Sequence, residues 1–504
     1  MTRGPYLQLG TPTSVVVRWR TSDATDSRVV FGTALANLSS TASNAVPTIE
    51  HEVTIGGLTP GTRYWYGVGS SGGVLASDAS CTFVTSPAPG SRQPVRAWIL
   101  GDSGEAGAIQ EAVRDAFIAW TGARGAELMM MLGDNAYSSG TDAEYQAGLF
   151  APYAALLRQW VLWPTRGNHD QLHSGTNNDY YELFTLPAAG EAGGVASGTE
   201  AYYSFDYANI HFVCLDSEGS DKSPSGAMVT WMRADLAATD QDWVIAFWHH
   251  PPYTKGSHDS DREVDLRNMR QNVVPVIDQL GVDLVLCGHS HSYERSFLLR
   301  SHYGKSSTLV DSMKVDAGDG RRDGNGPYHK PVQQTPFAGA VYAVAGSSSH
   351  TGGGNLNHPV MVTSQDVPGS LVLDVNGESL DARFLDSAGA VTDSFTILKG
   401  SLVSVGAAPA PAGGFAILGA WPLPSRAAVD LSYRLPRSGH VRVAIYDEDG
   451  RRIATVGDGE EPAGERHARW NGHDTSGSRV RAGVYFAVVE FAGERRAARV
   501  VLTP

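Results

Sequence analysis

Cysteine is scarce: Cys81, Cys214 and Cys287 are the only three in 504 residues, which excludes a disulfide framework and leaves at most one bridge. Cys214 and Cys287 lie inside the apolar runs His211-Phe212-Val213-Cys214-Leu215 and Leu284-Val285-Leu286-Cys287 and read as buried free thiols. No hydrophobic run approaches the length of a membrane span. No leader peptide precedes Thr2, although Met1 could stand where a leader was removed, so the compartment has to be inferred. Positive charge is also short, with 39 Lys and Arg against 53 Asp and Glu and a formal net charge of −14. From Gly414 onward there are 13 Arg, no Lys and 11 acidic residues, so the acidity belongs to the rest of the chain. A broadly acidic body argues against nucleic acid as the main partner, because backbone phosphates are bound by clustered cations. Long helices are disfavoured by 57 Gly and 26 Pro. With 42% hydrophobic and 18% charged residues the composition is globular and strand-rich, and the length predicts about two to four domains.

Residues 1–88 alternate apolar and polar positions in short runs between Gly, Pro, Ser and Asn turns, the pattern of a β-sandwich. The stretch Ser86-Pro87-Ala88-Pro89-Gly90-Ser91 is a stiff polar joint. Beyond it, continuous apolar runs at 95–100, 128–132, 161–164, 211–215, 243–248 and 284–287 predict buried strands. Apolar residues at three- and four-residue spacing over 108–120, 143–158, 228–237 and 264–280 predict helices between them. Residues 301–357, rich in Gly, Ser, His and Asp, read as a long loop bordering a site, before strands resume at 370–375 and 380–384. A second joint, Ala407-Ala408-Pro409-Ala410-Pro411-Ala412-Gly413, reads as an extended linker, and short strands follow it to the C-terminus.

Five of the predicted strands run straight into polar clusters: Gly101-Asp102-Ser103-Gly104, Gly133-Asp134-Asn135-Ala136-Tyr137, Gly167-Asn168-His169-Asp170, Trp248-His249-His250-Pro251 and Gly288-His289-Ser290-His291. In strand-helix-strand folds ligands bind beyond the carboxyl ends of the strands, where each of these clusters falls. Two aspartates, an asparagine, a tyrosine and three histidines so placed can hold a pair of metal ions, and such pairs cleave phosphate esters by clamping the attacking and leaving oxygens. A single Gly-Asp turn carries little information, but five in order are specific.

This ordered set resembles that of the calcineurin-like metallophosphoesterases, and specifically the purple acid phosphatases. The distinguishing mark is Tyr137, three residues after Asp134 in Gly133-Asp134-Asn135-Ala136-Tyr137. Gly288-His289-Ser290-His291-Ser292-Tyr293-Glu294-Arg295 is similar to the last motif of the large, plant-type members. The likeness spans about residues 1–398. Leu58-Thr59-Pro60-Gly61-Thr62-Arg63-Tyr64 resembles the tyrosine corner of fibronectin type III domains, with Tyr64 as the corner residue. The tail resembles the immunoglobulin-like module of flagellar hook-capping proteins, through Leu435-Pro436-Arg437-Ser438-Gly439, Trp470-Asn471-Gly472-His473-Asp474 and Ala482-Gly483-Val484-Tyr485. The implied architecture is multidomain: an α/β metallophosphoesterase sandwich of two mixed β-sheets flanked by helices at 95–398, between a fibronectin type III-like β-sandwich at 1–88 and an immunoglobulin-like β-sandwich at 414–504.

The resemblance implies one metal on Asp102, Asp134, Tyr137 and His291, and a second on Asp134, Asn168, His249 and His289, with Asp134 bridging. Charge counting agrees with a trivalent iron beside Tyr137, since a phenolate is a hard anionic donor, and with zinc, manganese or ferrous iron on the other side. Of the doublet His249-His250 only one member can readily ligate, because neighbours on a strand face opposite ways, and the family pattern selects His249. His250 is then either behind the ligands or near substrate, or packed. His169 is expected to contact the substrate phosphate with Asp170 orienting its ring. His258 occupies the spacing of a phosphate-binding or proton-donating histidine, Lys255 on the same loop is a second candidate anion contact, and Glu294 and Arg295 suggest a supporting ion pair. His173, His329, His350 and His358 read as surface histidines of rim loops.

The expected function is hydrolysis of phosphate monoesters by in-line attack of a metal-bound hydroxide, with His258 or His169 protonating the leaving group. Alternatives are a phosphodiesterase using the same bimetal site and a non-catalytic surface binding protein. The expected partner is a small phosphoester rather than nucleic acid, the oligomer is open, and the domain composition suggests an exported, extracytoplasmic bacterial protein.

Overall fold

The structure, a computed structural model, describes residues 1–170, 179–400, 415–421, 425, 428–447 and 451–503. The expected linker at 407–413 and His173 lie outside the described residues. Two units follow from the chain's own contacts, Met1–Lys399 and Gly400–Pro504.

In the first unit the leading strands are β1 (Arg3–Gln8), β2 (Ser14–Gly32), β3 (Ser40–Gly56), β4 (Arg63–Ser70), β5 (Gly73–Ala76) and β6 (Thr82–Val84). The Tyr64 hydroxyl accepts the Thr59 backbone N–H at 3.1 Å, the corner bond expected from the sequence. Strands β7 (Val95–Leu100), β8 (Leu128–Met131) and β9 (Val161–Pro164) run parallel, and β1 pairs parallel with β9 through Leu7 and Val161. The leading strands thus continue the sheet that begins at β7. Tyr6 secures the connection by donating its hydroxyl to the Leu183 carbonyl at 2.9 Å, and Arg3 pairs with Asp142 at 2.7 Å.

A second sheet holds β10 (Tyr203–Tyr207), β11 (Ile210–Cys214), β12 (Trp243–Trp248), β13 (Leu284–Cys287) and β14 (Tyr293–Ser296). Beyond the short ribbon β15 (Leu298–Leu299) and β16 (Lys314–Asp316) come β17 (Tyr328–Lys330), β18 (Val341–Ala345), β19 (Met361–Gln365), β20 (Gly369–Asn376), β21 (Ser379–Asp386) and β22 (Val391–Lys399). The large sheet is ordered β17-β22-β21-β20-β7-β8-β9-β1-β2-β4-β5, and the second β10-β11-β12-β13-β18-β14-β19. Apolar side chains from both sheets share one core. Trp163 stacks on Phe205 at 3.8 Å and Tyr293 on Phe384 at 4.0 Å between ring centres.

Helices cover the outer faces. Ala108–Thr121 lies on the large sheet, with Phe117 stacked on Trp98 at 4.3 Å, while Ala227–Ala238 and Val274–Leu280 contribute to the core against the second. This is the α/β sandwich of two mixed sheets flanked by helices anticipated above. Two expected helices are interrupted. Residues 143–158 form the turn Asp142–Tyr145, a wider π turn Gln146–Phe150 and, after Pro152, Ala154–Leu157. Residues 264–280 break similarly into Val264–Asn268, the π turn Met269–Val273 and Val274–Leu280, whose first turn carries Pro275. Proline lacks the N–H that would continue a regular helix.

The second unit is all β. One sheet is formed by β23 (Ala416–Trp421), β24 (Val429–Leu435) and β27 (Gly464–Trp470). The other is formed by β25 (Gly439–Asp447), β26 (Arg452–Glu461), β28 (Gly483–Phe491) and β29 (Glu494–Leu502), around an apolar core that includes Tyr433, Val443, Trp470 and Val489. The three cysteines are free and buried, as expected for Cys214 and Cys287. No helix among the described residues is long and apolar enough to cross a membrane.

One buried charge cluster has a direct stability consequence. The His211 ring, on β11, lies between Asp206 at 2.7 Å and Asp235 at 2.8 Å. Burial opposes its charge, but the hydrogen bonds and charges of the two aspartates outweigh burial and push its pKa from 6.5 to about 9. A raised folded-state value means that this stabilisation is complete below about pH 6.5 and is lost as pH climbs through about 9, a span worth about 3 kcal/mol at most. Denaturant titrations should therefore show the first unit weakening between pH 6.5 and 9.5, and His211→Gln should flatten that slope. An equal slope in both proteins would contradict the assignment.

Candidate metal centre

The parallel strands of both sheets end at one place. Asp102 follows β7, Asp134 and Tyr137 follow β8, Asn168 follows β9, His249 follows β12, and His289 and His291 follow β13. Asp102, Asp134 and His289 adopt left-handed backbone conformations with φ of 55°, 52° and 67°. Such conformations are unfavourable for residues with a Cβ, persist where surrounding structure enforces them, and concentrate at functional sites. Crowding explains one neighbouring glycine: a Cβ on Gly288 would stand 2.5 Å from Asp102 Oδ2 and 2.8 Å from the Leu132 carbonyl.

All seven expected metal ligands converge. On one side Tyr137 OH lies 3.2 Å from Asp102 Oδ1 and 3.0 Å from Asp134 Oδ2, and His291 Nε2 lies 3.6 Å from Asp102 Oδ1. On the other, His249 Nε2 lies 3.4 Å from the same Asp134 Oδ2 and 3.0 Å from Asn168 Oδ1. His289 Nδ1 closes that group, 3.0 Å from Asn168 Oδ1 and 3.2 Å from His249 Nε2. Donors bound to one ion at about 2.0–2.2 Å stand about 2.8–3.6 Å apart, so these spacings are compatible with two donor sets that meet at Asp134. The donor chemistry agrees. His249 Nδ1 donates to the Leu132 carbonyl at 2.8 Å, which turns Nε2, the atom where a cation would replace a proton, toward the oxygen of Asn168. Ligand atoms facing one another in this way fit a cation between them.

Electrostatics point the same way. Asp102 and Asp134 are almost fully buried, and burial alone would raise a carboxyl. The adjacent His249 more than reverses this at Asp134, which is held far below its usual range, while burial of His249 is overcome by Asp134, raising that ring to about 10. The pair thus borrows a proton as its positive charge. Tyr137 is pushed well above 10 by burial and then by both aspartates, so its phenol keeps its proton until a cation offsets them. Burial brings His289 down to about 4, leaving it neutral with a lone pair to offer.

The flanking candidates divide. His169 is at the rim of this cluster, its N–H bonded to Asp134 Oδ1 at 2.8 Å and its ring 4.4 Å from Tyr137. Asp170 does not orient it. That carboxylate takes hydrogen bonds from the N–H groups of Asn135 and Gly167 and from the Tyr145 hydroxyl, while the His169 Nδ1 meets the Ser138 carbonyl at 2.8 Å. His258 stacks over His289 with ring centres 3.8 Å apart. Lys255 instead pairs with Asp261 at 3.4 Å. His250 is 3% exposed, lies near His249 and His289, and bonds Ser217 Oγ at 3.0 Å, so it sits behind the ligands rather than facing a substrate. Glu294 and Arg295 are not paired to each other: Arg295 grips Asp393 at 2.6 and 3.0 Å, and Glu294 accepts from Thr254 and from the Lys255 N–H.

Two groups at the centre have no counterpart in the motif reading. Glu263 bonds His258 Nδ1 at 2.9 Å and lies 3.5 Å from His289 Nε2. His350, expected on the surface, contacts His291 at 2.9 Å and Glu105 at 3.0 Å. His358, likewise expected on the surface, is buried elsewhere, beside Tyr253 and His302. The signal for His350 was present, since the apolar run of β18 leads into Gly346-Ser347-Ser348-Ser349-His350 just as the other strands lead into their ligands.

Comparisons with known proteins agree with this geometry. Residues 95–293 match the calcineurin-like phosphoesterase family, residues 3–85 the purple acid phosphatase N-terminal domain, and residues 425–494 the FlgD Ig-like domain. Purple acid phosphatase 23 of Arabidopsis thaliana is 29% identical over 374 residues, 62% of this chain and 78% of that protein. The structure of a purple acid phosphatase from yellow lupin (Lupinus luteus) seeds matches with a TM-score of 0.60 at 19% identity, over 79% of this chain and 75% of that one. A structure of PhoD matches at 0.57 and 14%, over 79% and 90%. The two structural matches speak for the fold. The resemblance drawn from the motifs to the purple acid phosphatases and the wider calcineurin-like metallophosphoesterases therefore holds, and the fold with its His and Asp groups supports a binuclear metallophosphoesterase.

Gly288→Ala tests the crowding argument, because its methyl group displaces the Asp102 carboxylate. The variant should fold but bind added zinc or iron at least about 10-fold more weakly, the scale of misaligned ligands. Unchanged affinity by metal titration would show that Asp102 is not a ligand.

Proposed function

We propose that this chain, similar in its first unit to the purple acid phosphatases, hydrolyses phosphate monoesters at a two-metal centre. The observation that carries the reading is the shared corner: Asp134 Oδ2 stands 3.0 Å from Tyr137 OH and 3.4 Å from His249 Nε2, so one carboxylate oxygen belongs to both donor sets. Asp102, Asp134, Tyr137 and His291 would hold a ferric ion, since two carboxylates and a phenolate match a hard trivalent cation, and Asp134, Asn168, His249 and His289 a divalent ion such as zinc, manganese or ferrous iron. The ions would supply the positive field that draws in a phosphate, the polarisation of its P–O bonds and an acidified water for in-line attack.

The chain's own groups do the rest. His169, tethered through Nδ1 to the Ser138 carbonyl, presents Nε2 to a bound phosphate and donates from it once protonated. His258 is the group for the leaving oxygen. Its Nδ1 rests on Glu263, whose carboxyl is lifted by burial but drawn down to about 2 by the hydrogen bonds of His289, Asp259 and His258. Glu263 therefore stays ionised under acidic conditions and accepts the His258 Nδ1 proton, which fixes the ring with Nε2 as the atom for the leaving oxygen. Asp170 serves by holding the Asn168 loop against the Asn135 loop, and His250 by packing behind His249. We assign the enzyme to an extracytoplasmic location because of its immunoglobulin-like tail, which we read as an anchoring, sorting or capping module.

Metal analysis and kinetics on two variants separate these roles. Asp134→Ala should lose both ions and nearly all hydrolysis of a phosphate monoester, whereas His258→Asn should keep both ions and lose about 100-fold or more in kcat. Full metal occupancy in Asp134→Ala, or faster turnover of a diester than of a monoester by the wild type across acidic and neutral pH, would overturn the proposal.

A further inference from the structure

His291 can offer Nε2 to a cation only if its ring proton sits on Nδ1. The neighbouring atoms fix that choice. The Ser349 hydroxyl donates its single proton to the Asp102 backbone carbonyl, so its oxygen has only lone pairs left to present. His350 Nδ1 faces that oxygen at 3.0 Å and the Glu105 carboxylate, also an acceptor, at 3.0 Å. The proton of a neutral His350 ring must therefore be on Nδ1, which makes its Nε2 the acceptor. That Nε2 lies 2.9 Å from His291 Nδ1, which must then donate. His291 Nε2 is left with a lone pair, 3.6 Å from Asp102 Oδ1 and on the same side as Tyr137. The sequence of bonds starts at the main chain of Asp102 and ends at His291, whose Nε2 faces the Asp102 side chain without bonding it, and each proton in it has one place to go. The reverse polarity would set a bare His350 Nδ1 lone pair against two acceptors, an unfavourable arrangement.

We propose that His350 is a positioning residue for the Tyr137 side of the centre: with Ser349 and Glu105 behind it, it accepts the Nδ1 proton of His291 and commits Nε2 of that ring to the cation. The inference rests on the reading that Asp102, Asp134, Tyr137 and His291 hold one ion. His350 is well placed for the task, its ring 4.0 Å from His291 and edge-on to Tyr137 at 5.4 Å, so it also packs the phenol from one side. A hydrogen-bond acceptor behind a ligand histidine, here the His350 ring with the Glu105 carboxylate behind it, fixes its orientation and raises its basicity, which favours the more highly charged ion.

The test uses the full-length protein loaded with ferric iron and zinc, and follows the loss of each metal to a chelator together with the phenolate-to-iron absorption band. His350→Ala should release iron about 10- to 100-fold faster than wild type and shift or weaken the band, with a smaller effect on zinc. His350→Gln, whose amide oxygen can accept from His291, should restore most of the retention, which a merely structural role would not explain. Iron loss and band both unchanged in His350→Ala overturn the proposal. If that variant fails to fold, Glu105→Gln, at an exposed position, replaces it: a faster iron loss in the same direction supports the relay, and no change overturns it. A wild-type protein that takes up neither ion defeats the centre itself, whereas one that binds both and is indifferent to position 350 defeats only this inference.

Discussion

The carboxylate of Asp134 is the point on which the centre turns. It is almost fully buried, one oxygen is held by the His169 N–H at 2.8 Å, and the other faces Tyr137 and His249 together. A buried anion placed among nitrogen and oxygen lone pairs is unfavourable unless a positive charge joins it. The surrounding fold meets that demand from several directions. β8 lies between β7 and β9 in the large sheet, so Asp134 has Asp102 on one flank and Asn168 on the other, and the ends of β12 and β13 bring histidines from the second sheet.

Bringing five strand ends together requires the backbone to turn sharply at each of them. The left-handed conformations of Asp102, Asp134 and His289 are the local expression of that requirement, each destabilising by about 1–3 kcal/mol. Orientation of the rings is handled separately. Two of the three candidate ligand histidines have one nitrogen bonded outward, His249 to the Leu132 carbonyl and His291 to His350, while His289 Nε2 lies 3.5 Å from Glu263. In those two the remaining nitrogen is thereby aimed inward without relying on the metal to select it. Rigid strands set where the ligands are, and outward hydrogen bonds set which atom they present.

The seven converging side chains were legible in the sequence because each is local: an apolar run followed closely by a polar cluster. The strands β7, β8, β9, β11, β12 and β13 were legible for the same reason, whereas their division between two sheets was implied only by the family resemblance. Pairings across long stretches of chain were not legible. Glu105 and His350 meet only after the chain between them has folded, and the same is true of Arg295 and Asp393. Local spacing misdirected the reading of Asp170, whose place next to His169 suggests a partner, while the turn instead points its carboxylate at the amides of Asn135 and Gly167. The helix interruptions at 143–158 and 264–280 were hidden because apolar periodicity persists through a π turn. Position 350 was missed although its strand-then-serine pattern matches the other motifs.

The parallel contact between β1 and β9 changes how the leading residues should be regarded. β9 feeds the loop that carries Asn168, and its outer edge is covered by β1, whose Tyr6 and Arg3 are fastened to residues 183 and 142. Removing the first strands would strip hydrogen-bonding partners from that border and leave unpaired amides and carbonyls open to other chains. A fragment starting at the Ser86-Pro87 joint would thus begin life with an adhesive flank beside its own active-site loop. Self-association, rather than loss of chemistry, is the first defect such a trimmed protein would be built to suffer.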